Sequence, residues 1–217
     1  MAAAGEYNQR VKQVEIIVIG NEILLGQVQD TNTNYLCRLV TGLGGSVRRA
    51  ATVRDEVDSI AAEVRASLAR RADVVFTCGG LGPTDDDLTL AAVAEAAGVG
   101  LILHPAARDF VERKYRDLAA AGHVASAEMN EARLKMARLP EGAKMIENPV
   151  GAAPAVVIEA QSSRIVSLPG VPKELKAIVE GPLQSFLQEV FGQGSFRERE
   201  LMVECGDESA LAPVLRR

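Results

Sequence analysis

Between Val14 and Ile19 the chain is almost continuously apolar (Val-Glu-Ile-Ile-Val-Ile) and stops at Gly20, the pattern of a short strand buried on both faces. The period then changes. Tyr35, Leu36, Leu39, Val40 and Leu43 follow helical spacing, with Asp30 or Thr31 as a cap and Gly44-Gly45 as a stop. Ser46 to Val53 reads as a second strand, and Val57 to Arg71 as an amphipathic helix with Ile60, Val64 and Leu68 on one stripe. Asp73 to Cys78 is another buried strand, running into a glycine-rich loop, and Leu88 to Ala97 is a helix closed by Gly98. Strand and helix patterns that alternate in this way predict βαβ units and a mostly parallel sheet. Farther on, Ala106 to Ala121 is a charged helix opened by Pro105 and closed by Gly122, and Ser126 to Ala137 is expected to form another. Short strands follow at Lys144–Glu147, Ala155–Glu159 and Arg164–Leu168, then a final helix from Pro172 to Phe191 and an extra strand at Arg199–Cys205. The expected organisation is a loose tail over 1–13, one α/β domain over 14–192, and the start of a small subdomain over 193–217.

The 217 residues suit one large domain. With 47% hydrophobic and 24% charged residues, a packed core is expected and disorder is not. A net charge of −5 and the absence of Trp argue against a nucleic-acid partner. They leave room for anionic small molecules, because backbone N–H groups bind phosphate without a basic surface. Cys37, Cys78 and Cys205 are scattered and odd in number, so they form neither a disulfide framework nor a CxxC metal pair. No apolar run reaches the roughly 18 residues a membrane helix needs, and the opening residues lack a signal-peptide pattern. A cytoplasmic protein without a membrane partner is expected.

The densest chemistry is Gly79-Gly80-Leu81-Gly82-Pro83-Thr84-Asp85-Asp86-Asp87, between a buried strand and a helix start. In open parallel sheets ligands sit outside such carboxyl strand ends. Gly79, Gly80 and Gly82 tolerate positive φ and close approach, their N–H groups suit a phosphate, and Thr84 adds a hydroxyl. Asp85, Asp86 and Asp87 place three carboxylates beside that site, as a bridging divalent cation would require. Asp87 alternatively caps the helix that follows. The Gly-Lys-Ser/Thr ending of a Walker A loop is missing.

Other segments go further. Gly20-Asn21-Glu22-Ile23-Leu24-Leu25-Gly26-Gln27 with Asp30-Thr31-Asn32 and Asn34, the Gly79–Thr89 stretch, Asn130-Glu131, Asn148-Pro149 with Gly151 and Pro154, and Leu168–Leu175 resemble the signatures of the competence/damage-inducible CinA family. The likeness runs in order over roughly residues 14 to 215. It implies a three-layer α/β/α sandwich with a mostly parallel sheet, the molybdopterin-binding fold of MoaB and MogA. It also implies metal-dependent hydrolysis of ADP-ribose to AMP and ribose 5-phosphate, using Mg²⁺, Mn²⁺ or Co²⁺ and often K⁺, in a homodimer or homotrimer. The amidase activity of longer members is not expected here.

By that resemblance Glu22 faces the acidic loop, and Glu22 with Asp86 or Asp87 is the expected catalytic set, with Asp85 joining them around a metal. Gly79, Gly80, Leu81, Gly82 and Thr84 would hold phosphate. Asp30, Asn32 and Asn34 are candidates for ribose or adenine, or else cap a helix. Asn148 is a candidate ligand contact within a stretch that reads first as a turn. Gly170 and Lys173, at a strand-to-helix turn, could take a second phosphate. Cys78, His104 and His123 read as packing or surface residues. Two other functions use the same loop: molybdopterin binding with adenylyl transfer, and nucleotide binding without turnover.

Overall fold

The computed structural model describes residues 10–192. Eight strands and eight helices follow one another along them: β1 (Gln13–Ile19), α1 (Asn21–Leu24), α2 (Asn32–Gly42), β2 (Ser46–Val53), α3 (Val57–Ala69), β3 (Val74–Cys78), α4 (Thr89–Ala97), β4 (Leu101–Leu103), α5 (Pro105–Ala120), α6 (Glu131–Lys135), β5 (Arg138–Pro140), β6 (Lys144–Ile146), β7 (Ala155–Ala160), β8 (Ser163–Leu168), α7 (Pro172–Glu180) and α8 (Gln184–Phe191). Six strands form one sheet in the order β2-β1-β3-β8-β7-β6, and β4 pairs with β5 in a second, two-stranded sheet. The four neighbours β2, β1, β3 and β8 are parallel, while β7 runs antiparallel to both β8 and β6.

Alternation along each strand divides the core in two. Val14, Ile16 and Val18 of β1, with Val74, Phe76 and Cys78 of β3, meet Leu36 and Val40 of α2, Leu175 and Ile178 of α7, and Leu187 of α8. On the opposite face Ile17, Ile19 and Val75 meet Ile60, Val64 and Leu68 of α3 and Val93 of α4. Helices cover both faces, which makes the expected three-layer α/β/α sandwich. In the middle layer the buried Thr77 hydroxyl donates to Ser167 Oγ at 2.9 Å across β3 and β8. Glu15, only 2% exposed, accepts from Ser67 Oγ at 2.8 Å and from Arg70 Nη2 at 2.7 Å.

Several expectations need correction. Residues 10–13 are not a loose tail: Arg10 pairs with Asp73, the Gln13 N–H donates to Asp73 Oδ2 at 2.7 Å, and Gln13 opens β1. Only Glu131–Lys135 is helical within 126–137, because Asn130 caps that turn and residues 138–140 are drawn into pairing with β4. The final helix is two helices, divided at Gly181-Pro182, since proline has no N–H and clashes with the preceding turn. The expectations for residues 1–9 and 193–217, including a strand at 199–205, lie outside the described residues. No helix among the described residues is long and apolar enough to cross a membrane.

Candidate functional site

The carboxyl ends of β1, β3 and β8 meet around a cleft of about 590 Å³. The chain path explains the position: β1 leads to β2 on one side and β3 lies on the other, so a crevice opens where the winding reverses. The three loops touch closely. Gly79 has φ +108°, and a Cβ there would stand 2.3 Å from the carbonyl oxygen of Ile19. Its N–H donates to Leu168 O at 3.0 Å, and a Cβ on Gly170 would lie 3.3 Å from Gly79 Cα. Gly80 takes φ +65°. Gly82 does not have positive φ; its missing side chain instead leaves room for the Asp87 carboxylate, 2.6 Å from where a Cβ would be.

Behind the loop, fully buried Thr89 donates its hydroxyl to Gly79 O at 2.7 Å, and its N–H donates to Gly80 O at 3.2 Å. This latch at the α4 start fixes the loop to the sheet. Asp87 does not cap α4, as one reading expected. Its carboxylate turns back and accepts from Thr84 N at 2.8 Å and from Thr84 Oγ1 at 2.6 Å, closing the acidic turn on itself. The Thr84 hydroxyl also bonds Asp86, which with Lys135 nearby holds the Asp86 carboxyl below its ordinary value. Lys135 reaches the same turn through the Thr84 carbonyl.

Glu22, Asp86 and Asp87 line the cleft, as do Gly79, Gly80, Leu81, Gly82, Asp30, Asn32 and Gly170. The Glu22 carboxylate folds back over Gly20, where a Cβ would meet Oε1 at 2.7 Å. Asp30 accepts from Thr33 N at 3.0 Å and so caps α2. Asn32 donates to Gly170 O at 2.8 Å, bracing the β8–α7 turn against α2. Asp85, Asn34 and Lys173 are exposed and do not line the cleft, nor does Thr84. Asn148 is corrected from ligand contact to turn brace: both amide protons are engaged, by Ala153 O and Glu174 Oε2, and its oxygen accepts from Val150 and Gly151 N–H. His104 caps α5 by accepting from Ala107 N, and burial of Cys78 pushes its thiol well up.

The sequence reading missed Asp55. It follows β2, lines the cleft, and accepts from Asn21 N at 2.7 Å. Burial, with added repulsion from Glu22 and Asp86, raises its pKa above the ordinary carboxylate value. Glu22, Asp55 and Asp86 thus all line the cleft, although no three His, Cys, Asp or Glu side chains among the described residues converge tightly enough to hold a metal by themselves. The triplet Asp85–Asp87 with Glu22 is not a ready-made cage.

Residues 15–189 match the family described as probable molybdopterin binding domain. The chain belongs to that family. A curated relative from Aeropyrum pernix is 46% identical over 201 residues, 93% of this chain and 72% of its own length. Among solved structures, the protein CinA of unknown function from Thermoplasma acidophilum is 34% identical, covers 82% of this chain and 98% of that one, and superposes with a TM-score of 0.73. The molybdopterin biosynthesis enzyme MoaB from Thermus thermophilus is 20% identical, covers 86% and 100%, and reaches 0.54, a likeness of fold. The described residues thus share the fold of MoaB.

Proposed function

We propose that the cleft binds a small phosphorylated ligand, a molybdopterin-class pterin first, with the phosphate at the Gly79-Gly80 turn. The single observation that carries this reading is that turn itself: two glycines at positive φ, wedged between Ile19 and Gly170 and latched from behind by Thr89. The Gly79 N–H is taken by Leu168 O, and the turn leaves the N–H groups from Gly80 onward for an anion. Family membership and the MoaB likeness favour a pterin over other phosphate carriers. Anaerobic calorimetric titration with molybdopterin tests it. Saturable binding that is lost in Gly79→Ala is expected; no binding by a folded protein would refute it.

A second reading, hydrolysis of a nucleoside diphosphate sugar such as ADP-ribose, is favoured by the placement of three carboxylates, Glu22, Asp55 and Asp86, in one cleft with the glycine turn. Water would attack one phosphorus, the bridging P–O bond would break, and AMP and ribose 5-phosphate would leave. A carboxylate of the set would take the water's proton. A hard divalent cation fits the donor chemistry, since Mg²⁺ is usually held by one or two carboxylates plus substrate phosphate oxygens. It would supply neutralising charge on those oxygens. AMP appearing from ADP-ribose with Mg²⁺, Mn²⁺ or Co²⁺, increased by K⁺ over Na⁺ and abolished by chelator, is the expected result under this reading. No AMP with any of the three metals would remove it. Self-association as a homodimer or homotrimer belongs to the same proposal, and sedimentation velocity decides it.

A further inference from the structure

The two ends of the cleft differ in chemistry. Across the sheet edge, the β2 and β1 ends carry Asp55 and Glu22, and the β3 and β8 ends carry the glycine turns. Past β8, where β7 begins, the lining changes to Tyr115, Met136, Ala152 and Ala153. These four also pack together with buried Phe110 and Val111 in a cluster of their own. None of these four side chains carries a charge, and an apolar wall with one aromatic ring suits a flat, poorly hydrated group.

Tyr115 is held in place on α5 from several sides. Lys114, its neighbour, donates to Pro149 O at 3.0 Å, and Arg113 pairs with Glu147 at 2.6 Å, so the helix is tied to the loop that carries Ala152 and Ala153. The Arg133 guanidinium lies over the tyrosine ring, its carbon 3.9 Å from the centroid. Arg133 is itself fixed by the carbonyls of Ser126 and Glu128 at 2.8 and 2.6 Å. A ring clamped by a locked guanidinium has lost its rotational freedom before any ligand arrives, so little is lost again on binding. Close by, Glu174 lines the cleft with Oε2 taken by Asn148. Its other oxygen can accept from an N–H on a heterocycle edge.

Resting on the phosphate-binding reading above, we infer that Tyr115 is the specificity-determining wall of the cleft. It stacks the fused, amine-bearing ring of the ligand while the glycine turn holds the phosphate. The ligand class is then a heterocycle joined to a phosphate or diphosphate, which pterins and purines share. The Arg133 guanidinium stacked on the ring and the Glu174 acceptor in the same cleft favour electron-rich rings with exocyclic N–H donors.

The test is calorimetric titration of the protein, in Mg²⁺, with ADP, 6-hydroxymethylpterin diphosphate and inorganic pyrophosphate. The two heterocyclic probes separate purine from pterin. At least one should bind more tightly than pyrophosphate. Tyr115→Ala should weaken that ligand about tenfold or more, the scale of base–aromatic stacking, and leave pyrophosphate unchanged. Tyr115→Phe should restore it. Pyrophosphate binding as tightly as both heterocycles would overturn the inference and leave the phosphate reading intact. An equal loss of all three ligands in Tyr115→Ala would overturn it too, as would no loss at all. If no probe binds the wild-type protein, the phosphate reading fails and the inference with it.

Discussion

At the scale of single residues, two positions carry opposite expectations. Gly79 is required by its backbone: a side chain there would be strained by φ +108° and would overlap the Ile19 carbonyl oxygen at 2.3 Å. Gly79→Ala should lower unfolding stability by about 3 kcal/mol in urea titration. Asp55 is the reverse case. Its folded pKa is raised, by burial and then by Glu22 and Asp86, so the ionised carboxyl costs stability at neutral pH, and that cost disappears as pH falls through the raised value. Asp55→Asn keeps an acceptor for Asn21 N–H and removes the repulsion. It should raise the urea midpoint slightly, a gain in unfolding free energy of about 1 kcal/mol or less, while impairing ligand binding or turnover. A lower midpoint would show that Asp55 serves the fold. Gly79 is legible in the sequence because glycines after a buried strand announce themselves. Asp55 is not, since Arg54-Asp55-Glu56 reads as a solvated charge run, and only the pairing of Ile19 with Val53 brings it beside Glu22.

At the scale of elements, the central strands β1, β3, β7 and β8 are legible nearly in full because buried strands are short, mainly apolar runs. Where local pattern and tertiary pairing disagree, pairing wins. Leu101–Leu103 and Arg138–Pro140 are too short to signal themselves, yet they pair as β4 and β5 and shorten the helix expected before Arg138. The break between α7 and α8 has a signal in Gly181-Pro182, but the apolar spacing on either side of it masks the interruption. The joint between α3 and β1 is a further element-scale feature. Burial alone would raise the Glu15 pKa, but the hydrogen bonds from Arg70 and Ser67 outweigh it and hold the carboxyl below its ordinary value of 4.5. The stabilisation from this group is therefore full above that value and is lost as pH falls through the lowered folded one. Arg70→Ala would strand a buried carboxylate and should cost about 3 kcal/mol near neutral pH. The difference from wild type should shrink on acidification below about pH 4.5. Equal loss at all pH values would assign Arg70 a packing role only.

At the scale of the molecule, a net charge of −5 and a carboxylate-lined cleft both oppose an anionic ligand, and the neutral glycine turn only partly offsets them. Affinity for a diphosphate ligand should therefore rise at least tenfold when Mg²⁺ replaces chelator in the titration buffer. Unchanged affinity would mean that backbone N–H groups suffice. The sandwich itself also sets how the protein yields to force. β1 lies between β2 and β3, parallel to both, and Asp73 clasps its start through Gln13 N–H and Arg10. Tension applied ahead of residue 10 would load the bonds on both flanks of β1 together, in shear, with the clasp as the first lock. Traction on β6, a hairpin edge with a single neighbour, would peel its bonds one at a time. A pore-type unfolding machine should therefore stall on this chain when it pulls from the amino end.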